Sequence, residues 1–414
     1  MTQKQMPYPP SPAVPGAPAA PAAPAAGVFL QLLPITLAVF IAFLAMGMQL
    51  PVLPLHLHET LGMGTLVVGS VTGSQFVAAL LSRSWAGNFA DMRGARRAVI
   101  AGFLLVAASG LPYAASLWAP DPAAAVWLLL LGRIVLALGE SLITTGAMGW
   151  AVGLVGPQNT GKVMVWIGIA IFGAYSLGAP VGVMVNGHWG FAGIAAATVL
   201  TPLLAWAAVS GVRAVPPTAT RRTPFYTVLS VVLWPGIGLA LSSVGFGLIA
   251  AFIALLFAAK NWGDASLAFT AFGFAFIVAR IFFGHLPDKV GGAQVALVSV
   301  AIEAVGLLLI WGADIPALAY LGSALTGFGY SLAFPGFGVE AARRAPPQTR
   351  SLAMGAYVAF LDIALGVTGP LAGALAGVRG IGSVYLAGAV TVALALAVAL
   401  KLLADGPSKG MRRA

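Results

Sequence analysis

Four ionisable side chains interrupt long apolar stretches of this chain: Arg133, Glu140, Glu303 and Asp362. A charge in hydrocarbon costs at least about 2.5–3.5 kcal/mol even on the most lenient insertion scale. Such groups are therefore paired, wetted or protonated, and each is a candidate for holding a solute or carrying a proton. Arg133, Ala137, Glu140 and Thr144 follow one another at intervals of 4, 3 and 4 residues, which puts them on one helix face. Arg133 and Glu140 are read as binding substrate or coupling charge. The competing reading is a purely structural pair. Seven residues separate the two by roughly 10 Å along a helix axis, so direct contact needs long side chains or a water. Asp362 shares a face with Gly355, Ala359, Gly366, Gly369 and Gly373. An acid on a small-residue stripe packs against another helix, away from lipid. A carboxyl that gains and loses a proton as access alternates is what proton coupling requires, so Asp362 is the leading candidate proton carrier. The alternative is a fixed structural hydrogen bond.

The elements that must position these groups follow from composition. Of the 414 residues, 60% are apolar and only 8% charged, against roughly 25% charged in a soluble domain. Mean hydropathy is +0.97. A cytosolic enzyme and a disordered regulator are excluded. Residues 1–27 hold eight prolines and one charge, Lys4, and read as a disordered Pro/Ala-rich cytoplasmic tail. Apolar runs then recur at 28–55, 65–86, 98–117, 124–154, 163–185, 191–211, 227–258, 266–284, 294–312, 318–341, 351–376 and 384–404. About 20 helical residues cross a bilayer, so the expectation is an all-α polytopic membrane protein of twelve helices, numbered here in chain order. With both termini inside, all but five of the 21 Lys and Arg fall in cytoplasmic segments; the five are Arg83, Arg133, Lys260, Arg280 and Arg379. Arg83 and Arg280 sit at cytoplasmic helix ends. This positive-inside bias accounts for the net charge of +10 without a nucleic-acid partner; contact with membrane lipid is incidental.

The chain is also duplicated. Arg83-x3-Gly87-x3-Asp91-x2-Gly94 recurs as Arg280-x3-Gly284-x3-Asp288-x2-Gly291. LGRIVLALGESL (131–142) matches LGSALTGFGYSL (321–332). At the same offset Pro157-Gln158 meets Pro347-Gln348, Met164 meets Met354 and Pro180 meets Pro370. The organisation expected is a six-helix bundle over 28–211, a basic linker over 212–226, a second bundle over 227–404 and a cytoplasmic tail over 405–414. Parallel repeats of this kind mark transporters whose site lies between the halves. The counterparts of the helix-4 stripe are Ser323, Gly327, Tyr330 and Phe334. A central cavity would then be polar on one wall and aromatic on the other, with Tyr330 and Phe334 touching an organic solute. Gly178, Pro180 and Gly182 on helix 5, with Gly369, Pro370 and Gly373 on helix 11, bend or thin those helices.

Here a resemblance becomes specific. GNFADMRGARR (87–97) resembles the loop 2–3 signature of the major facilitator superfamily. Arg133 followed by Gly139 resembles its helix-4 arginine motif, with Ala137 where a glycine is usual. Gly178-Ala-Pro180-x-Gly182 resembles the helix-5 motif of its antiporter branch. SLAFPGFGVEAARR through GAYVAFLDIALGVTGPLAG (331–373) is similar to the YhhS-like bacterial subfamily of uncharacterised facilitators. The resemblance covers about 28–404 and implies two pseudo-symmetric six-helix bundles in a bacterial inner membrane. It implies that Gly87, Asp91, Gly94, Arg96 and Arg97, and in the second half Gly284, Asp288 and Gly291, form gating loops. Asp91 would meet the start of helix 11 near Ser351, and Asp288 the start of helix 5 near Lys162. Helix 9 would be peripheral, so Glu303 is a lower-ranked acid with a local structural role favoured.

The remaining residue types exclude more. There is no cysteine, hence no disulfide, thiolate metal site or cysteine nucleophile. His56-x-His58-Glu59 reads as a solvated loop, and no metal site is expected. No phosphate-binding GxxxxGK[ST] occurs, so ATP drive and other cofactors are not expected. The function expected is secondary transport of a small organic solute by alternating access, as export by proton antiport. Proton symport for uptake is the rival within the class. A membrane receptor or enzyme is the rival outside it, disfavoured because the buried acids are isolated rather than clustered at catalytic spacing. A monomer is expected.

Overall fold

The computed structural model describes residues 25–216, 229–346 and 350–405. Helix 1 is Ala25–Leu55, helix 2 Thr65–Arg93, helix 3 Ala95–Ser116 and helix 4 Pro122–Val155. One helical stretch, Thr160–Val209, carries two spans. Gly190 sits at φ 61, ψ −162, a region open in practice to glycine alone, and divides it into helix 5 (160–189) and helix 6 (191–209). Helices 7 to 12 are Leu229–Lys260, Ser266–Phe283, Gly292–Trp311, Pro316–Arg344, Arg350–Arg379 and Gly382–Asp405. Among the described residues eleven helices are long and apolar enough to cross a membrane, and the break at Gly190 makes them twelve spans. Helix 1 begins earlier than the tail boundary at 27 implied, because the last proline is Pro24 and Ala25 and Ala26 favour helix. The tail before Ala25, the linker beyond 216 and the chain after Asp405 lie outside the described residues.

Local chemistry sets the helix ends. Asp121 accepts from the Ala124 N–H at 2.8 Å, with Pro122 in the first turn of helix 4. Asp264 accepts from the Ser266 N–H at 2.7 Å and its hydroxyl at 2.6 Å, anchoring the start of helix 8. The repeated loops turn on equivalent glycines, Gly94 at φ 93 and Gly291 at φ 125. The copies differ just before that turn. Helix 2 runs through Gly87 to Arg93, but helix 8 stops at Phe283 and a separate turn, Leu286–Lys289, follows. Pro287 stands where the first copy has Ala90, and it opens that turn because it has no N–H to continue helix 8.

The duplication extends into packing. On helix 4, a methyl group at Gly139 would approach the Gly102 carbonyl oxygen to 2.7 Å, and one at Gly146 the Ala95 carbonyl oxygen to 2.9 Å. Their counterparts Gly329 and Gly336 on helix 10 press on Ser299 and Gly292 of helix 9 in the same way. Small residues let these helix pairs touch backbone to backbone. Helices 1–6 and 7–12 thus form two bundles, which meet along helix 2 with helix 11 and helix 5 with helix 8.

The stripe on helix 11 shows how the bundles meet. At the end near loop 1–2, the Thr65 hydroxyl donates to the Gly373 carbonyl at 2.7 Å. A methyl group at Gly69, Gly369 or Gly373 would collide with the partner backbone, and one at Gly73 would come to 2.8 Å from the Gly366 carbonyl oxygen. Gly355 lies on the same face about three turns further along, and a methyl group there would meet nothing within 4 Å. Helix 5 repeats the pattern. Ser176 and Thr270 exchange hydroxyl-to-carbonyl bonds of 3.1 and 2.9 Å, while Gly168, two turns away, faces open space. Along both seams the bundles touch toward the loop 1–2 end and diverge toward the end that carries loop 2–3, here called the basic face; between the seams a cavity of about 530 Å³ lies at the loop 1–2 end, lined by helices 1 and 5 on one side and helix 7 on the other.

Candidate functional site

The closed and open stretches of the helix 2–helix 11 seam meet at one ion pair. Arg83 donates from Nε to one Asp362 oxygen at 2.7 Å and from Nη2 to the other at 2.8 Å. This bidentate geometry is the strongest that a guanidinium and a carboxylate can form. The Asp362 side chain is 3% exposed and the Arg83 side chain 32%. Asp362 therefore faces another helix, as its stripe requires, but its partner lies on the other bundle. Arg83 does more than sit at a helix end. Side chains lean toward their own helix N-terminus, so Arg83 reaches from the basic half of helix 2 toward mid-membrane.

The polar stripe of helix 4 is divided rather than paired. Arg133, 4% exposed, donates to Gln49 Oε1 at 3.1 Å. The Tyr113 hydroxyl donates to the same oxygen at 3.2 Å, and Gln49 Nε2 donates to Thr198 at 3.0 Å. Arg133 thereby ties helices 1, 3, 4 and 6 together inside the first bundle. Glu140 instead accepts from Gln75 Nε2 of helix 2 at 2.6 Å, within electrostatic reach of Asp362, Arg83 and Arg133. The direct Arg133–Glu140 pair does not form, because each group has a nearer glutamine. Glu140 and Asp362 belong to one charged cluster at the bundle interface; Arg133 stands one layer back.

The aromatic wall is broader than the helix-10 stripe implied. Tyr330, 3% exposed, stacks on Phe246 at 5.8 Å and meets Phe276 and Phe172 at 6.1 Å. Phe172 in turn lies flat on Phe276 at 3.8 Å. The cluster thus takes rings from helices 5, 7, 8 and 10, so both bundles contribute. Phe334 packs against Tyr357 at 5.7 Å, and the Tyr357 hydroxyl donates to the Phe334 carbonyl at 2.6 Å. Ser323 is buried and its hydroxyl has no partner among the described residues, and Gly327 presses on the backbone of Phe272.

Arg280 is the residue that sequence reasoning placed but did not use. It is the repeat counterpart of Arg83, and its guanidinium lies over the Phe276 ring at 5.1 Å. Its Nε is buried without a partner, and among the described residues no carboxylate pairs with it. The signal was present in the sequence: two arginines at matched positions imply matched roles. At the offset that aligns helices 5 and 11, the counterpart of Asp362 is Phe172.

Glu303 is fully buried, and neither of its oxygens has a partner among the described residues. It faces Gly245, with Oε1 2.5 Å from where a methyl group there would sit. The expected local hydrogen bond is thus not formed among these residues. The gating loops are unequal. Asp91 is half-buried, and the side chain of Ser351 lies outside the described residues. Arg96 donates to the Ser210 carbonyl at 2.7 Å, tying the loop after helix 2 to the end of helix 6, while Arg97 is exposed. Asp288 is exposed and makes no contact with Lys162 among the described residues; it sits on the separate turn Leu286–Lys289 rather than on a continuation of helix 8. The helix 5 and helix 11 motifs also part company. Gly178 and Gly182 press on Gly47 and Met48 of helix 1, within one bundle, whereas Gly369 and Gly373 press on helix 2 across the interface. Pro180 and Pro370 both lie inside unbroken helical stretches. His56 stacks on Phe191 at 4.0 Å and His58 bonds the Met63 carbonyl at 2.8 Å; no metal-binding group of three His, Asp or Glu occurs among the described residues.

Two six-helix bundles with a charged and aromatic site at their interface define a multi-pass membrane protein of the transporter type. The sequence model of the Major Facilitator Superfamily matches residues 35–235 and again 235–413, and the chain belongs to that superfamily. An uncharacterized MFS-type transporter of Salmonella typhimurium is 42% identical over 375 residues, covering 90% of this chain and 97% of that protein. One from Burkholderia mallei is 42% identical over 374 residues, covering 90% and 92%. The crystal structure of a D-xylose–proton symporter superposes with a TM-score of 0.75 at 15% identity, covering 91% of this chain and 99% of that one. The family and these relatives are transporters, not enzymes. At 15% identity the symporter shares the fold alone.

Proposed function

We propose that the protein exports a small organic solute by proton antiport, through alternating access, from a bacterial inner membrane with both termini in the cytoplasm. The excess of Lys and Arg at the basic face supports a cytoplasmic placement for it, and the gap between the bundles would then admit solute from inside. The observation that carries the reading is the Arg83–Asp362 pair, which bridges the bundles where they begin to diverge. A protonated Asp362 has one oxygen occupied by hydrogen and no charge to hold a bidentate guanidinium. Proton loss to the cytoplasm forms the pair in the inward-open state, and solute entering from inside then drives the outward swing that parts helix 11 from helix 2. A proton taken up by Asp362 from outside keeps Arg83 released until the empty carrier has returned inward and discharged it. Glu140, held by Gln75 beside this pair, senses the same charge. The proton gradient supplies the drive, with no ATP or other cofactor, and a single chain suffices for the cycle.

The test is proton movement in everted vesicles, read with a pH-sensitive dye across a panel of organic solutes. Solute-triggered proton release from the acidified lumen is expected for the wild type and absent in Asp362→Asn. Proton uptake in the solute's direction would establish symport instead. Solute flux indifferent to the gradient in both proteins would sink proton coupling.

A further inference from the structure

We propose that the solute is an organic anion with a flat apolar body, and that Arg280 holds its charge; this rests on the transport reading above. Arginine stays charged in proteins, and a charge within the membrane needs a counter-charge or water. Arg83 has Asp362. Arg280, at the equivalent place on helix 8, has no carboxylate partner among the described residues and leaves Nε buried and unbonded. What the repeat supplies in place of an acid is Phe172, stacked on the Phe276 ring that Arg280 covers. Gly168, one turn from Phe172 on the same face of helix 5, fronts open space, so the site opens toward the basic face. A fixed cation beside an aromatic cluster matches a carboxylate carried on a planar ring: the guanidinium takes the oxygens two at a time, and the ring would join the cluster at Phe172, its half-buried member. A cationic solute would meet like charge here, and a neutral one would leave the guanidinium unsatisfied.

The experiment is calorimetric titration of the full chain in lipid nanodiscs, where no gradient exists, so its outcome is independent of proton coupling. The probes are 2-naphthoate, its neutral amide, the matching naphthylmethylammonium and sodium chloride. Naphthoate is expected to bind about tenfold or more tightly than the amide, as befits hydrogen bonds to a charged group, and chloride is not expected to displace it. Arg280→Gln should erase the preference for naphthoate over amide, and Arg280→Lys should restore part of it; unchanged thermal unfolding shows that each variant is folded. Preference for the ammonium probe, equal displacement by chloride, no binding of naphthoate, or an unchanged preference in Arg280→Gln would each overturn the assignment.

Discussion

The seam of helices 2 and 11 and the seam of helices 5 and 8 hold equivalent places in the two repeats, and each carries an arginine at the same motif position. In the first, Arg83 closes on Asp362 with two short hydrogen bonds. In the second, Arg280 rests on Phe276, with Phe172 where the acid would be. One seam is self-sufficient in charge and the other is not. Duplication supplied the frame twice, and a single position, Asp362 against Phe172, separates an arginine paired with an acid from one packed on aromatic rings.

The sharpest way to break this contrast is to remove one member of the ionic seam. Asp362→Leu leaves Arg83 uncompensated and is expected to cost about 3 kcal/mol, the low end for a buried pair because Arg83 is partly wet. The double variant Arg83→Leu/Asp362→Leu should lie closer to wild type than Asp362→Leu does. Denaturation in detergent decides it; a double variant as unstable as the sum of the singles would break the ionic reading. Converting the second seam into a copy of the first is the next largest effect. Phe172→Asp places an acid one ring from Arg280 and should weaken naphthoate binding about tenfold, whereas undiminished binding would detach Arg280 from the solute.

The divergence of the bundles can be mapped because the chain has no native cysteine. Thr65→Cys with Gly377→Cys should cross-link under mild oxidation, since a side chain at Gly377 would begin 3.4 Å from the Thr65 hydroxyl. Single cysteines at Gly168 and Gly355 should react with a maleimide several-fold faster than one at Gly366; equal rates at all three would contradict the open end. Within the charged cluster, Gln75→Leu strips Glu140 of its hydrogen bond and should lower stability by about 1–2 kcal/mol, read in the same denaturation assay. The smallest effect is expected at the rim. Glu340 pairs with Arg344 and accepts from the Ala293 N–H at the start of helix 9. Glu340 is buried, but Glu340→Gln keeps an acceptor for both bonds and removes only the charge, so it should cost about 1 kcal/mol.

Much of this was legible in the residues. Twelve apolar runs, motifs repeated between the halves and the small-residue stripe of helix 11 are local patterns, and each became the helix, the repeat or the packing face it implied. The intrahelical pair of Glu340 with Arg344 was legible for the same reason, since four residues fix a distance on a helix. The partners of the buried charges were not. Arg83 and Asp362 are 279 residues apart and Gln49 and Arg133 are 84 apart, and no periodicity relates such positions. The Gly178 and Gly369 motifs look alike but press on different helices, because each sits on its own side of a bundle that the sequence does not orient.

The sequence by itself therefore determined the class, the spans, the duplication and which residues had to find partners, because hydropathy and helical spacing act within a few turns. Tertiary structure alone decided which partner each charge found and which bundle it came from. Those choices depend on how two rigid bundles face each other, closed along Gly69, Gly369 and Gly373 and parted at Gly355. A backbone contact of that kind is set by the three-dimensional meeting of surfaces, and it left Asp362 satisfied and Arg280 waiting.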